Sequence, residues 1–183
     1  MQLNRNSYRI NGGRVMNEVC KSDAAAQAMI AMTAAQASAS SLAEILDALA
    51  HIFAQFVGHR IFTVSVFESG HDLIARRIWS SRPDVYPVGG TKGGPCDEWV
   101  QQVIGRREIF LCHDAAEVRR VMPDHETIFG LGCGSVLNLP VCLSGATIGT
   151  VNLLHEPLWF TPERVQKATM LRALAYAPML LSH

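Results

Sequence analysis

The chain has 183 residues, 49% hydrophobic and 17% charged, with a formal net charge of zero. That suffices for one domain with an ordinary core. It leaves no basic excess for a phosphate backbone and no apolar run of the roughly 20 residues a membrane span needs, so neither nucleic acid nor membrane is an expected partner. The five cysteines are Cys20, Cys96, Cys112, Cys133 and Cys142. An odd number without a secretory signal points to reduced thiols and a cytoplasmic location.

Residues 1–22 lack periodicity and read as a disordered leader. Residues 23–40, rich in Ala, Gln and Ser, read as a linker or a helix. The ordered domain is expected over 41–181. Ser41 and Glu44 fit a capping box. Leu42, Ile45, Leu46, Leu49, Ile52, Phe53 and Phe56 then form one apolar helical face, which Gly58 ends. Ile61 to Glu68 and His71 to Trp79, split by Ser69-Gly70, predict a hairpin. A long loop rich in Gly and Pro runs from Ser80 to Gly94. Pro95 opens a short helix with Trp99, Val100, Val103 and Ile104 on its buried side. Glu108 to Cys112 predicts a third strand, and Asp114 to Leu131 short helical turns. Gly134 to Cys142 and Ala146 to Leu154 predict two more strands around a Ser144-Gly145 turn. Thr161-Pro162-Glu163 caps a last helix that Pro178 should end or kink.

Strands joined by hairpins imply an α+β fold with an antiparallel sheet. The first and last helices can cover one face. The long loop and short helices cover the other loosely, which favours a pocket beneath them. The order of elements, together with Gly134-Ser135-Val136-Leu137-Asn138-Leu139-Pro140-Val141, Ile148-Gly149-Thr150-Val151-Asn152-Leu153 and Phe160-Thr161-Pro162-Glu163, resembles the GAF family over residues 41–181. The resemblance implies a sensory module with a ligand pocket on the sheet face away from the terminal helices. It also implies ligands as different as cyclic nucleotides, bilins, haem, amino acids and aromatic acids, so the fold cannot name one.

The specialised chemistries fit poorly. Of the set that accompanies cyclic nucleotides in such domains, Asn152, Phe160 and Glu163 match, but the Lys and Asp do not. The Cys-His pair that attaches a bilin is replaced by Asp124-His125, and Cys112-His113 lies on a different strand. The family's free methionine sulfoxide reductases resemble this chain in a Cys at the position of Cys96, but their attacking thiol has no match in His125 to Phe129. Cys133 comes several residues late. Cys112, His113 and His125 lack metal-ligand spacing, so no metal, haem, bilin or other cofactor is expected. Lys92, in a Gly-rich stretch without phosphate-loop order, could meet an anion as a point charge.

Polar residues on apolar strands are more telling. With a two-residue turn at Ser144-Gly145, residue 138 pairs with 151 and 140 with 149. Asn138 is then the lone polar side chain on a face shared with Val136, Pro140, Gly149, Val151 and Leu153, with Gly149 leaving room beside it. A buried amide requires a partner, either a backbone group, a water or a ligand. Tyr86, Cys96, Trp99, Asp124, His125, Ser135 and Asn138 are the expected ligand-binding residues, with no catalytic set. The expected function is a stand-alone, homodimeric sensory module that binds a small, partly apolar organic ligand between the sheet and the 80–105 loop and helix. The alternatives are a redox enzyme acting through Cys96 and a purely structural dimerisation module.

Overall fold

The computed structural model describes residues 12–67, 75–92 and 98–182. Helix α1 spans Gly12–Ser38 and α2 Leu42–Phe56. The Ser41 hydroxyl accepts from the Glu44 amide at 3.3 Å, as a capping box requires. The Glu44 carboxylate returns one residue further than expected, to the amide and hydroxyl of Ser40, each at 2.8 Å. Those bonds hold its pKa below the ordinary carboxylate value. Helix α1 runs unbroken through residues 12–38. Helix formers such as Met16, Glu18 and Lys21 join directly onto the alanines, so no breaker separates the two stretches. The leader's first eleven residues lie outside those described.

Among the described residues six strands follow: β1 (Ile61–Phe67), β2 (Ala75–Ser80), β3 (Thr91–Lys92), β4 (Phe110–Cys112), β5 (Ser135–Leu143) and β6 (Ala146–His155). They form one antiparallel sheet in the order β3-β2-β1-β6-β5-β4. The predicted hairpin is present as β1 and β2, and its Ser69-Gly70 turn lies outside the described residues. Between β5 and β6, Ser144 (φ 49°) and Gly145 (φ 79°) make the two-residue turn that the sequence predicts.

The register beyond that turn is corrected by a β-bulge. Leu143 faces Ala146 and Cys142 faces Thr147, but Val141 faces Gly149, so Ile148 is an extra residue. Asn138 therefore pairs with Asn152, not residue 151, and Pro140 with Thr150, not 149. The slip turns Val151, Leu153 and Gly149 away from the Asn138 face and brings Thr150, Asn152 and Leu154 onto it. Gly149 does not make room beside Asn138. It lies where a Cβ would strike the Ser65 carbonyl and, at 2.8 Å, the Met179 sulfur.

One sheet face presents Phe62, Val64, Val66, Leu137, Leu139, Val141, Val151 and Leu153 to a core closed by α1, α2, α5 (Pro162–Leu171) and α6 (Tyr176–Leu180). Thr161 caps α5 with Pro162 at its first position. The break expected of Pro178 comes a turn early, as a 3₁₀ segment over Arg172–Ala175. The pyrrolidine ring supplies no N–H for the carbonyl four residues back, and the tighter winding precedes it. The opposite face is covered by a π-helical turn (Val100–Gly105), α3 (Ala115–Val121), α4 (His125–Gly130) and the loop after β2.

Two local features carry predictions. Leu158 has φ 62° and is 69% exposed. A side chain pays roughly 1–2 kcal/mol for that left-handed conformation. Leu158→Gly, less glycine's extra unfolded-state entropy, should stabilise by about 0.5–1 kcal/mol. A urea midpoint that moves down would refute the strain.

His59 bonds Ala50 O at 3.0 Å. A carbonyl only accepts, so Nε2 carries the proton and Nδ1 is bare. Nδ1 is buried without a partner among the described residues. Burial lowers the pKa of His59 and, as the leading cause, of His155, both from an ordinary 6.5. At His155, Glu156 opposes the shift, whereas Arg60, Arg164 and His59 add to it. A depressed histidine binds fewer protons folded than unfolded, so its stabilisation is complete above pH 6.5 and lost as pH falls below it. Stability should decline from pH 7 to pH 5, less steeply in His59→Gln. Parallel declines for both proteins in denaturant titrations would exclude His59 as a source.

Candidate functional site

The sheet face under the short helices carries three cross-strand rows. The outermost joins Arg77 of β2, Ser65 of β1 and Thr150 of β6. The middle row joins Thr63, Asn152 and Asn138, ending on Phe110 of β4. The third, Ile61, Leu154 and Val136, is apolar. A recess of about 610 Å³, its open mouth included, lies over these rows and is roofed by Tyr86, Trp99, Met122, Asp124 and Ile128.

The polar groups are fixed in definite ways. Asn152 Nδ2 donates to the Thr63 hydroxyl at 3.1 Å. Trp99 Nε1 donates to Asn138 Oδ1 at 2.8 Å across the gap between roof and floor. An indole nitrogen can only donate, so this bond sets the amide's orientation and turns its NH₂ the other way. Asn138 is 3% exposed and Thr150 1%. The Ser65 and Thr150 hydroxyls and the Asn138 NH₂ have no protein hydrogen-bond partner among the described residues.

The loop after β2 is tied to that strand by Arg77 N to Gly90 O (2.9 Å) and Gly89 N to Arg77 O (2.8 Å). This brings Tyr86 over the recess, where its hydroxyl donates to Asp124 Oδ2 at 3.0 Å. Burial, then Asp124, pushes the phenol's pKa far up, keeping it a donor. The Arg77 guanidinium lies 5.2 Å from the Tyr86 ring centroid, a cation–π distance, and donates to Pro87 O at 3.1 Å. Burial lowers its pKa, opposed by Tyr86 and Asp124.

Of the residues expected from sequence, the fold brings Tyr86, Trp99, Asp124 and Asn138 onto this recess. His125 and Ser135 do not line it. His125 begins α4, where successive side chains point about 100° apart. Its Nδ1 lies 2.9 Å from Met122 O, and its ring tilts against Phe129. The Ser135 hydroxyl donates to the carbonyl of Glu156 at 2.7 Å on the strand's far side. Cys96 and the Lys92 side chain lie outside the described residues. Sequence reasoning missed Thr63, Ser65, Arg77, Thr150 and Asn152. The alternation Phe62-Thr63-Val64-Ser65-Val66 was a legible signal for the first two. Cys133 is buried, which raises its thiol pKa, and Cys112 is buried in the same layer.

Among the described residues, no helix is long and apolar enough to cross a membrane, and no three His, Cys, Asp or Glu side chains cluster to hold a metal. No family model matches the sequence, and no curated protein matches it. Solved structures do match the fold. The GAF domain of an Acinetobacter phosphoenolpyruvate-protein phosphotransferase superposes with a TM-score of 0.65 at 15% identity, over 90% of this chain and 95% of that one. A GAF domain/HD domain protein from Geobacter sulfurreducens gives 0.58 at 15% identity, over 79% and 94%. The chromophore-binding domain of a bacteriophytochrome from R. palustris gives 0.59 at 14%, over 94% and 64%. The chain has a GAF-like fold.

Proposed function

We propose that this protein is a sensory or regulatory module that binds a small, partly apolar organic molecule in the recess between the sheet and the Tyr86–Trp99 roof. The observation that carries this reading is the set of unpartnered polar groups on the floor. Ser65, Thr150 and Asn138 are buried residues whose hydroxyls and NH₂ open onto the recess, where a ligand or water can meet them. The apolar row beside them supplies the other half of an amphipathic site. Phytochrome-like attachment of a chromophore is not part of this reading, because Asp124-His125 stands where the attaching Cys-His pair would lie.

A thermal-shift screen of small metabolites tests it. At least one compound should raise the melting temperature of the protein, and Thr150→Val and Asn138→Leu should abolish that rise. Silence across a broad panel, or a ligand whose effect both variants leave intact, counts against the site. We place the module in the cytoplasm and infer a homodimer through α1, whose outer side exposes Met29 (61%) and Ile30 (70%). Ile30→Glu should then halve the mass in light scattering, and an unchanged mass argues against that interface.

A further inference from the structure

The chemistry at one end of the recess narrows the ligand class, granted that the recess is a binding site. Arg77 is a partly buried guanidinium without an ion pair: no carboxylate of the described residues lies within salt-bridge distance of it. Its Nε is enclosed by protein and has no hydrogen-bond partner among those residues. One Nη1 donor goes to Pro87 O. Asp124, the nearby acid, accepts from Tyr86. In the same cross-strand row stand the unpartnered hydroxyls of Ser65 and Thr150. A cation and two hydroxyl donors thus meet at one end of the floor, while Ile61, Leu154 and Val136 line the other beneath Met122 and Ile128.

We propose that the ligand is a small monocarboxylate with an apolar tail. Its carboxylate accepts from Ser65, Thr150 and the guanidinium edge of Arg77, which turns slightly to present Nε, and its tail lies along the Ile61–Leu154–Val136 row. A guanidinium matches the planar two-oxygen geometry of a carboxylate. Among the described residues Arg77 is the one cation that lines the recess, so a monocarboxylate meets it with one negative charge, whereas a phosphate dianion brings two to a site that already holds Asp124. A neutral head would bring no anion within salt-bridge distance of Arg77, where no described carboxylate lies. A cationic head would meet Asp124 already engaged with Tyr86.

The test is titration calorimetry and the Trp99 indole N–H resonance with isovalerate, hexanoate and phenylacetate, each beside its primary amide and its matching alkyl or aryl phosphate monoester. At least one carboxylate should shift that resonance and bind about tenfold or more tightly than its amide and its phosphate. Arg77→Gln should reduce the carboxylate to the level of the amide. Arg77→Lys, which keeps the charge and loses the planar fork, should retain part of the preference, and it serves if the Gln variant does not fold. An amide or phosphate that binds as well as its carboxylate overturns the proposal and leaves the pocket reading standing. Binding by none of the nine compounds also overturns it, and the metabolite screen then judges the pocket reading separately.

Discussion

Gly149→Ala is expected to destabilise the protein by about 3 kcal/mol or more, near the top of the range for overpacked cores. The argument is geometric. Gly149 faces Val66 across one ladder and Val141 across the other, next to the bulge at Ile148. A Cβ there would strike the Ser65 carbonyl, which belongs to the neighbouring strand's backbone, and the Met179 sulfur at 2.8 Å. Met179 is fully buried, but a thioether can find another rotamer. The carbonyl cannot move without distorting the β1–β6 ladder. Met179→Ala should therefore recover only a minor part of the loss in the double variant. Urea unfolding of the single and double variants checks both statements. A loss below about 1 kcal/mol, or full recovery in the double variant, would mean that the strands separate easily at this point.

The same glycine shows where sequence reasoning reaches its limit. The α2 face, the Ser41 and Thr161 caps and the Ser144-Gly145 turn follow from residues close in sequence, and local rules suffice for them. Asn138 stood out as a polar group on an apolar strand, and Tyr86 and Trp99 as aromatic residues in the long loop and in the helix after it. The strand register was not legible. A two-residue turn correctly sets Leu143 against Ala146, but nothing in Thr147-Ile148-Gly149 marks Ile148 as extra, and that insertion reverses every pairing beyond it. Thr150 and Asn152 were thereby assigned to the wrong layer. Arg77 was hidden differently, because a strand arginine reads as solvated until the loop over 81–90 is seen folded back on it. The separation of Asp124 from His125 likewise depends on where α4 begins.

The bond between Trp99 and Asn138 should contribute measurably to holding the roof on the floor. Trp99→Ala removes a buried indole, 5% exposed, and should cost about 3–5 kcal/mol. That variant mixes lost packing with the lost bond, so the cleaner comparison keeps a ring. Trp99→Phe leaves Asn138 Oδ1 without its donor, and Asn138→Leu leaves a buried indole N–H without its acceptor. Each should cost about 1–3 kcal/mol. The double variant Trp99→Phe/Asn138→Leu removes both halves at once and should cost less than the sum of the singles by about 1–2 kcal/mol. Strict additivity would mean that the 2.8 Å contact adds nothing beyond packing. The cycle also bears on function. Trp99 precedes the π-helical turn Val100–Gly105, and its bond ties that segment to the middle of β5. Any molecule that enters the recess and competes for Asn138 acts directly on this tie. Amide exchange over residues 100–105 should therefore quicken in Asn138→Leu, while the α2 face, which packs on the opposite side of the sheet, keeps its protection. Equal exchange in both proteins would detach the roof's mobility from the amide and make the Trp99–Asn138 pair a packing feature alone.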